Sequence, residues 1–255
     1  MIRIIVCGAL GKMGRTVAEE IASDKELALA GAIEAPGHAG LGAKVAGVEV
    51  TADLAKALPA CDVVADFTNP KAALEHIAAC AAAGKAAIVG TTGFSPEELA
   101  AAKKAAAKIP LIISPNMSAG VNLMFKIVED AARALSDFDA EIIEIHHNKK
   151  KDSPSGTAAK LAEHIAKTRP GAGVVHGRAG LVGARKPQEI GMHSLRGGDV
   201  VGEHTVIFAG EGERFELTHR MHSRRTLARG TLRAIHFIYG KKPGLYTMAD
   251  VLGLS

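Results

Sequence analysis

The chain has 255 residues, 47% of them hydrophobic but only 4% aromatic, with 28 glycines and no tryptophan. That composition excludes a disordered chain and predicts an α/β protein packed through small residues, long enough for one large domain or, preferably, two modest ones. A formal net charge of +4 without a basic tail gives no bulk electrostatic signal for nucleic acid and suits a small acidic substrate.

Ile2 to Cys7 is a short β-branched run suited to a buried parallel strand. It is far too short for a signal segment or a membrane span, so a cytoplasmic protein with no membrane partner is expected. It runs into Gly8-Ala9-Leu10-Gly11-Lys12-Met13-Gly14, after which Met13, Val17, Ala18 and Ile21 mark one helical face. The G-x-x-G-x-x-G spacing is a variant of the dinucleotide fingerprint, in which glycines let the backbone turn sharply, approach a pyrophosphate and pack helix on strand. A second strand, Leu27 to Ile33, ends in Glu34 about twenty residues past Gly14, where an acid meets the adenosine ribose hydroxyls. This βαβ unit predicts a nicotinamide cofactor; the competing reading is a tight turn in an unliganded sheet.

The βα alternation continues. Val48 to Val50, Cys61 to Phe67, Ala86 to Gly90 and Pro110 to Ser114 read as strands, and Ala-rich helices begin near Thr51, Pro70 and Ser95. Ser95-Pro96-Glu97-Glu98 carries a cap, a first-turn proline and acids that suit the helix dipole. The strand-end loops Phe67 to Pro70, Gly90-Thr91-Thr92-Gly93 and Ser114-Pro115-Asn116-Met117-Ser118 should line the carboxyl edge where ligands bind in such sheets. Ordinary turn chemistry is the alternative, and Asp66 and Asn69 could be turn formers only. Cys7, Cys61 and Cys80 are scattered in apolar runs without ligand spacing, which predicts buried, reduced thiols.

After Ser118 the pattern changes to that of an α+β domain: an amphipathic helix from Val121 to Leu135, then a strand from Phe138 to His147. The loop that follows, His146-His147-Asn148-Lys149-Lys150-Lys151-Asp152-Ser153-Pro154-Ser155-Gly156-Thr157, closes on a helix running from Ala158 to Lys167. Backbone N–H groups of Gly156 and Thr157 lie at a helix start, which favours a carboxylate or phosphate. With Lys149 to Lys151 alongside, the segment is an anion site holding groups that can move protons near pH 7, unless it is merely a solvated basic loop. Neighbouring His146 and His147 point to opposite faces of a regular strand, so both can serve one ligand only if the strand ends at this pair. A glycine-rich stretch, Gly171 to Gly198, follows, in which Arg178, Arg185 and Arg196 are read as solvated by default. Strands Val200 to Phe208 and Arg214 to Met221 join at Gly210-Glu211-Gly212, and the helix Leu227 to Tyr239 could return to the first domain. The expected division is 1–117 plus 227–255 for nucleotide and 118–226 for substrate and oligomerisation. Although histidines cluster in the second half, no H-E-x-x-H or Cys/His ligand set appears, and no metal is expected.

Taken together, the Gly8 to Gly14 motif, Gly90-Thr-Thr-Gly93, Ser114-Pro-Asn-Met-Ser118, His146-His147 with Lys150, and Pro154-Ser-Gly-Thr157 resemble the 4-hydroxy-tetrahydrodipicolinate (dihydrodipicolinate) reductase family. Arg196-Gly-Gly-Asp199 with Val201-Gly-Glu-His204, and Glu216-Leu-Thr-His219, extend the resemblance nearly end to end. It implies a doubly wound Rossmann-type parallel sheet with a smaller α+β domain, and reduction of a cyclic dicarboxylate by NADH or NADPH in lysine (diaminopimelate) biosynthesis. It further implies cofactor contacts from Gly8, Ala9, Leu10, Gly11, Lys12, Met13, Glu34, Gly90, Thr91, Thr92, Ser114, Pro115, Asn116 and Met117. His146 would be proton donor or acceptor and Lys150 proton donor, with His147, Gly156 and Thr157 holding substrate carboxylate; a homotetramer is implied as well. Some members carry Arg after the ribose-binding acid, whereas Glu34 here precedes Ala35-Pro36. Loss of one charge-assisted contact, about 1.5–3 kcal/mol, predicts NADH preferred or equal, with Lys12, Arg15 and His38 the candidates to compensate. The rival readings are another nicotinamide dehydrogenase of a small acid and an NAD(H)-sensing regulator without turnover.

Overall fold

The computed structural model describes residues 1–254. Two compact units divide the chain: Met1–Ala119 together with the segment from Arg224 onward, and Gly120–Ser223. The first unit opens with β1 (Ile2–Cys7), α1 (Lys12–Ser23), β2 (Leu27–Ile33), β3 (Lys44–Val45), β4 (Val48–Thr51), α2 (Leu54–Ala57) and β5 (Val63–Asp66). It continues with α3 (Pro70–Ala83), β6 (Ala86–Val89), α4 (Pro96–Lys104) and β7 (Pro110–Ile113). The second unit carries α5 (Ala119–Ala134), β8 (Asp139–His146), α6 (Gly156–Ala166), β9 (Gly173–His176), β10 (Glu189–Arg196), β11 (Gly202–Ala209) and β12 (Arg214–Met221). The chain then returns to the first unit as α7 (Arg225–Ile238), β13 (Gly244–Tyr246) and α8 (Met248–Leu252).

The first sheet runs β13-β7-β6-β5-β1-β2-β4-β3, parallel throughout except for the β3–β4 pair. Its strands are apolar on both sides because helices cover both faces. Ile4, Val6, Ile88 and Ile112 face α1 and α7, while Ile5, Cys7, Val64 and Val89 face α3 and α4. Full burial of such a side chain stabilises by about 1.5–3 kcal/mol. Helix starts follow their caps: Asn69 accepts from Ala72 N–H at 3.1 Å ahead of Pro70, and Ser95 and Glu98 form a reciprocal capping box. The start expected near Thr51 falls at Leu54 instead, where Asp53 accepts from Lys56 N–H. Cys7, Cys61 and Cys80 are free, buried thiols; burial pushes Cys61 up to about 11 and Cys80 up to about 12. No helix among the described residues is long and apolar enough to cross a membrane.

The second sheet runs β12-β11-β8-β10-β9, with β8, β9 and β10 parallel and β11 antiparallel to both neighbours. Two of these strands, β9 and β10, lie inside the glycine-rich stretch that shows no strand pattern in the sequence. In β10 the buried Ile190 and Met192 alternate with Gly191 and His193, so only two apolar side chains mark the period. One face packs Ala140, Ile142, Met192, Val206 and Phe208 against α5 and α6. On the other, Ile143 and Leu195 are 36% and 45% exposed. Arg178 is exposed, as the default reading has it, whereas Arg185 and Arg196 are only partly exposed, and all three are ion-paired. Arg178 and Arg185 converge on Glu141, whose carboxylate also meets His193, and Arg196 forms a two-pronged pair with Glu144. Carboxylates on β8 supply the partners, a pairing between segments far apart in the chain.

Candidate active site

In the first unit the site begins at the turn between β1 and α1. Gly8 has φ +75, and a Cβ there would press into the Phe67 carbonyl; a Cβ on Gly14 would press into the Gly8 carbonyl. These two contacts explain why the sequence needs glycine at both positions for the strand to reverse directly into the helix. α1 starts at Lys12, and its cap, Gly11, has no side chain to satisfy the first N–H groups. The Glu34 carboxylate accepts from Leu10 N–H at 3.0 Å and from Ala35 N–H at 3.1 Å, tying the end of β2 to the glycine turn. Gly8, Leu10, Gly11, Glu34, Pro36, His38, Thr68, Asn69 and His76 line a cleft of about 380 Å³.

Asp66, at the end of β5, pins the neighbouring loops together. One carboxylate oxygen accepts from Thr68 N–H and from the Thr68 and Thr91 hydroxyls, and the other meets His76 Nδ1 at 2.6 Å. Asp66 is therefore more than a turn former. Cys7, Asp66 and His76 bring a thiol, a carboxylate and an imidazole within 4.8 Å of one another. Both Asp66 oxygens accept hydrogen bonds from Thr68, Thr91 and His76, and burial raises the Cys7 thiol well above its usual range.

The remaining residues expected to meet cofactor are spread along this unit. Lys12, Thr92 and Pro115 are exposed, Ala9, Thr91, Ser114 and Met117 are buried, and Met13 packs on the core. Gly90 faces the Phe67 ring. The Ser114 hydroxyl donates to the Asn116 carbonyl, and the Asn116 side chain accepts from Ser118 N–H at 2.8 Å, so the turn after β7 is held by its own side chains.

The second unit has a candidate site of its own, which grows from one transverse row. On the helix-covered face, the register sets Ser194 of β10 and His204 of β11 on either side of Glu144, with His219 of β12 beyond His204. The rows below are apolar, so the sheet changes from core to chemistry within one step along β8. Glu144 is wholly buried. Burial works to raise its pKa, but hydrogen bonds from Arg196, His146 and Ser194 overcome that and hold the carboxyl down at about 2. An ionised carboxylate only accepts, so the 2.5 Å contact with His146 Nδ1 fixes that nitrogen as the donor and leaves Nε2 as the titrating atom. Nε2 faces the Cα of Gly202, where a Cβ would lie 2.9 Å away. Burial first, then the nearby Lys150 and Arg196 cations, push the His146 imidazole below its ordinary value against the pull of Glu144.

β8 ends at His146, and Lys150 N–H closes a turn onto the His147 carbonyl. The condition for both histidines to serve one ligand is thus met. Lys150 ammonium is held by the Asp152 carboxylate at 2.7 Å, which lowers the Asp152 pKa. Lys149 and Lys151 are exposed. α6 opens with Gly156 and Thr157, and behind them the Ser155 hydroxyl accepts from Ala158 N–H while Ser155 N–H donates to Glu144 at 3.2 Å. Glu144 therefore joins the imidazole, the Arg196 guanidinium and the start of α6. Sequence reasoning had passed over Glu144, Ser155 and His204 as individual residues. The usable signal was strand parity, since Glu144 is two residues before His146 and shares its face.

Family models described as "Dihydrodipicolinate reductase, N-terminus" and "Dihydrodipicolinate reductase, C-terminus" match residues 2–117 and 120–252. A 4-hydroxy-tetrahydrodipicolinate reductase of Anaeromyxobacter sp. (strain Fw109-5) is 50% identical over 100% of this chain and 98% of its own length. One from Geobacter metallireducens is 48% identical over 100% of both chains. The solved dipicolinate-bound dihydrodipicolinate reductase from Paenisporosarcina sp. TG-14 superposes with a TM-score of 0.81 at 29% identity, covering 98% of each chain. A probable dehydrogenase from Thermotoga maritima, at a TM-score of 0.65 and 14% identity over 98% of this chain and 92% of that one, shares the fold. With both halves matched and half-identical relatives spanning its length, the chain belongs to the dihydrodipicolinate reductase family of NAD(P)H-dependent oxidoreductases.

Proposed function

We propose that the second unit binds and protonates the cyclic dicarboxylate, while the cleft of the first unit takes the pyridine nucleotide. The reaction is the family's reduction of 4-hydroxy-tetrahydrodipicolinate to tetrahydrodipicolinate in lysine biosynthesis. A bound reduced nicotinamide supplies the hydride. Gly8 to Met13 and Glu34 would hold the adenosine and pyrophosphate side, with Gly90 to Thr92 and Ser114 to Met117 along the strand ends toward the reactive ring.

The chain's own chemistry concerns anions and protons. A dicarboxylate loses hydration on binding, and the start of α6 at Gly156 and Thr157, together with His147 and Lys150, replaces that water with N–H donors and a cation. Lys150 exchanges Asp152 for substrate and donates a proton to the charge that reduction leaves on the ring. His146, neutral in the free protein, gains a proton as the carboxylates arrive and resupplies the one that Lys150 gives up, so that one proton accompanies each hydride. The observation that supports this reading is the hydrogen bond between His146 Nδ1 and Glu144, a carboxylate that also accepts from Ser155 N–H ahead of α6; it leaves Nε2 as the nitrogen able to exchange a proton. Oxidation of NADH that depends on the dicarboxylate intermediate is the test; nucleotide binding without turnover would favour a sensor instead.

Glu34 is followed by Ala35 and Pro36 and by no cation, which supports NADH as the preferred or equal cofactor. A kcat/KM ratio strongly favouring NADPH would contradict this. We also propose a homotetramer, formed by covering the outer sheet face around Ile143 and Leu195; light scattering on the eluting protein measures it.

A further inference from the structure

His204 is a buried titratable group for which the proton chemistry above has no use. It is 4% exposed, and its Nε2 lies 2.9 Å from the Ser155 hydroxyl. Its Nδ1 is buried with no hydrogen-bond partner among the described residues. A core position opposite Glu144 that only needed filling would be better served by an apolar residue, as in the next row, where Val206 stands opposite Ile142. The row above ends in Gly202, so no other β11 side chain reaches this corner.

Ser155 has three tasks that meet on one residue. Its hydroxyl caps α6 through Ala158 N–H, its own N–H donates to Glu144, and the same hydroxyl meets His204. Glu144 in turn orients His146. The imidazole of His204 also stands edge-on to that of His146, with centroids 5.2 Å apart. We infer that His204 is a positioning residue: by anchoring Ser155 from β11 it fixes the start of α6 relative to His146, so that carboxylate-holding amides and the proton-transferring ring keep one geometry. Burial, and after it the neighbouring His146, push the His204 pKa down to about 3. It is thus a neutral neighbour, and His146 can charge without facing a second cation. A lysine or arginine there would supply the hydrogen bond and oppose that charge.

The inference rests on the reading that α6 and Lys150 take the substrate carboxylates, and the test separates the two. Pyridine-2,6-dicarboxylate is titrated calorimetrically into the full chain with NADH present, alongside steady-state kinetics, for His204→Phe, His204→Gln, Ser155→Ala and Lys150→Ala. His204→Phe should weaken pyridine-2,6-dicarboxylate binding and raise the KM of the reducible dicarboxylate about tenfold, the scale of one hydrogen bond, with the NADH KM unchanged. His204→Gln, which keeps a polar group toward Ser155, should recover most of the loss. A general structural defect would raise both KM values and would not be rescued. If His204→Phe binds dicarboxylate like the parent while Lys150→Ala is weakened, the positioning role is wrong and the anion site stands. If Lys150→Ala is unaffected too, the underlying reading falls with it. Should His204→Phe fail to fold, Ser155→Ala removes the same contact from the other side, and an unchanged dicarboxylate KM there overturns the inference.

Discussion

Replacing Glu144 by glutamine keeps the shape of the side chain and changes one acceptor into a donor. In the parent, the carboxylate receives His146 Nδ1 at 2.5 Å, Arg196 at 2.9 and 2.8 Å, and Ser155 N–H at 3.2 Å. Arg196 and the Ser155 amide cannot stop being donors, whereas an imidazole can exchange tautomers. One carboxylate oxygen serves Arg196 Nη2 and Ser155 N–H, the other Arg196 Nη1 and His146; the glutamine NH2 takes the second place, where it costs one Arg196 contact but lets Nδ1 become the acceptor, and Nε2 carries the hydrogen. His146 then presents the wrong nitrogen state to substrate. A correctly placed general acid or base contributes about 10²–10⁴-fold, so kcat should fall by about two orders of magnitude or more. Arg196 keeps a neutral partner, with an expected stability loss of about 1.5–3 kcal/mol for weakened charge-assisted hydrogen bonding. Stopped-flow or steady-state oxidation of NADH gives the first quantity and urea unfolding the second. A folded Glu144→Gln variant with kcat within about threefold of the parent would refute the tautomer argument.

The same row makes further commitments. Gly202→Ala places a Cβ 2.9 Å from His146 Nε2; kcat should drop and dicarboxylate KM rise, with NADH KM unchanged, as kinetics would show. Because the His146 pKa is lowered in the free protein and incoming carboxylates raise it, dicarboxylate binding near pH 7 should take up protons. Calorimetry in buffers of different ionisation enthalpy detects this, and His146→Gln should abolish it. Acid stability follows Glu144: with a folded value of about 2 against an ordinary 4.5, its contribution is fully present above the ordinary value. It is lost as pH falls through about 2, amounting to about 3 kcal/mol. The stability gap between the parent and Glu144→Gln should accordingly narrow on acidification. Gly14→Ala drives a Cβ into the Gly8 carbonyl and should abolish NADH binding, read by fluorescence, while leaving dicarboxylate binding to the second unit intact.

The strand, glycine turn and helix from Ile2 to Ser23 were legible because their determinants are local: β-branched residues, glycine spacing, and one apolar helical face. The same holds for the Ser95 capping box and for the strand-to-helix connection that leads into α6. What escaped notice depends on partners far away in the chain. Arg196 looks like any surface cation until β10 is placed beside β8, which brings it to Glu144 across fifty-two positions. His204 closes a motif but has no role of its own until the β11 register sets it opposite Glu144. β13, three residues long, is too short to show a period at all. Alternation along one strand could have singled out Glu144, but only the sheet order shows that it is the meeting point of its neighbours.

The route of the backbone also has a bearing on biogenesis. β7 has one neighbour, β6, until Gly244–Tyr246 pairs along its open side, and α1 keeps an uncovered apolar flank until Ala228, Leu232 and Ile235 arrive. Both partners are synthesised after the entire second unit. While the ribosome is making residues 120–223, the nascent amino-terminal sheet thus exposes a strand edge and a greasy helix face, the kinds of surface that invite mispairing. Clipping the last few dozen residues would leave the lining of the cleft beside the glycine turn untouched yet deprive its scaffold of closure, and insolubility rather than a weakened catalyst is the outcome to look for.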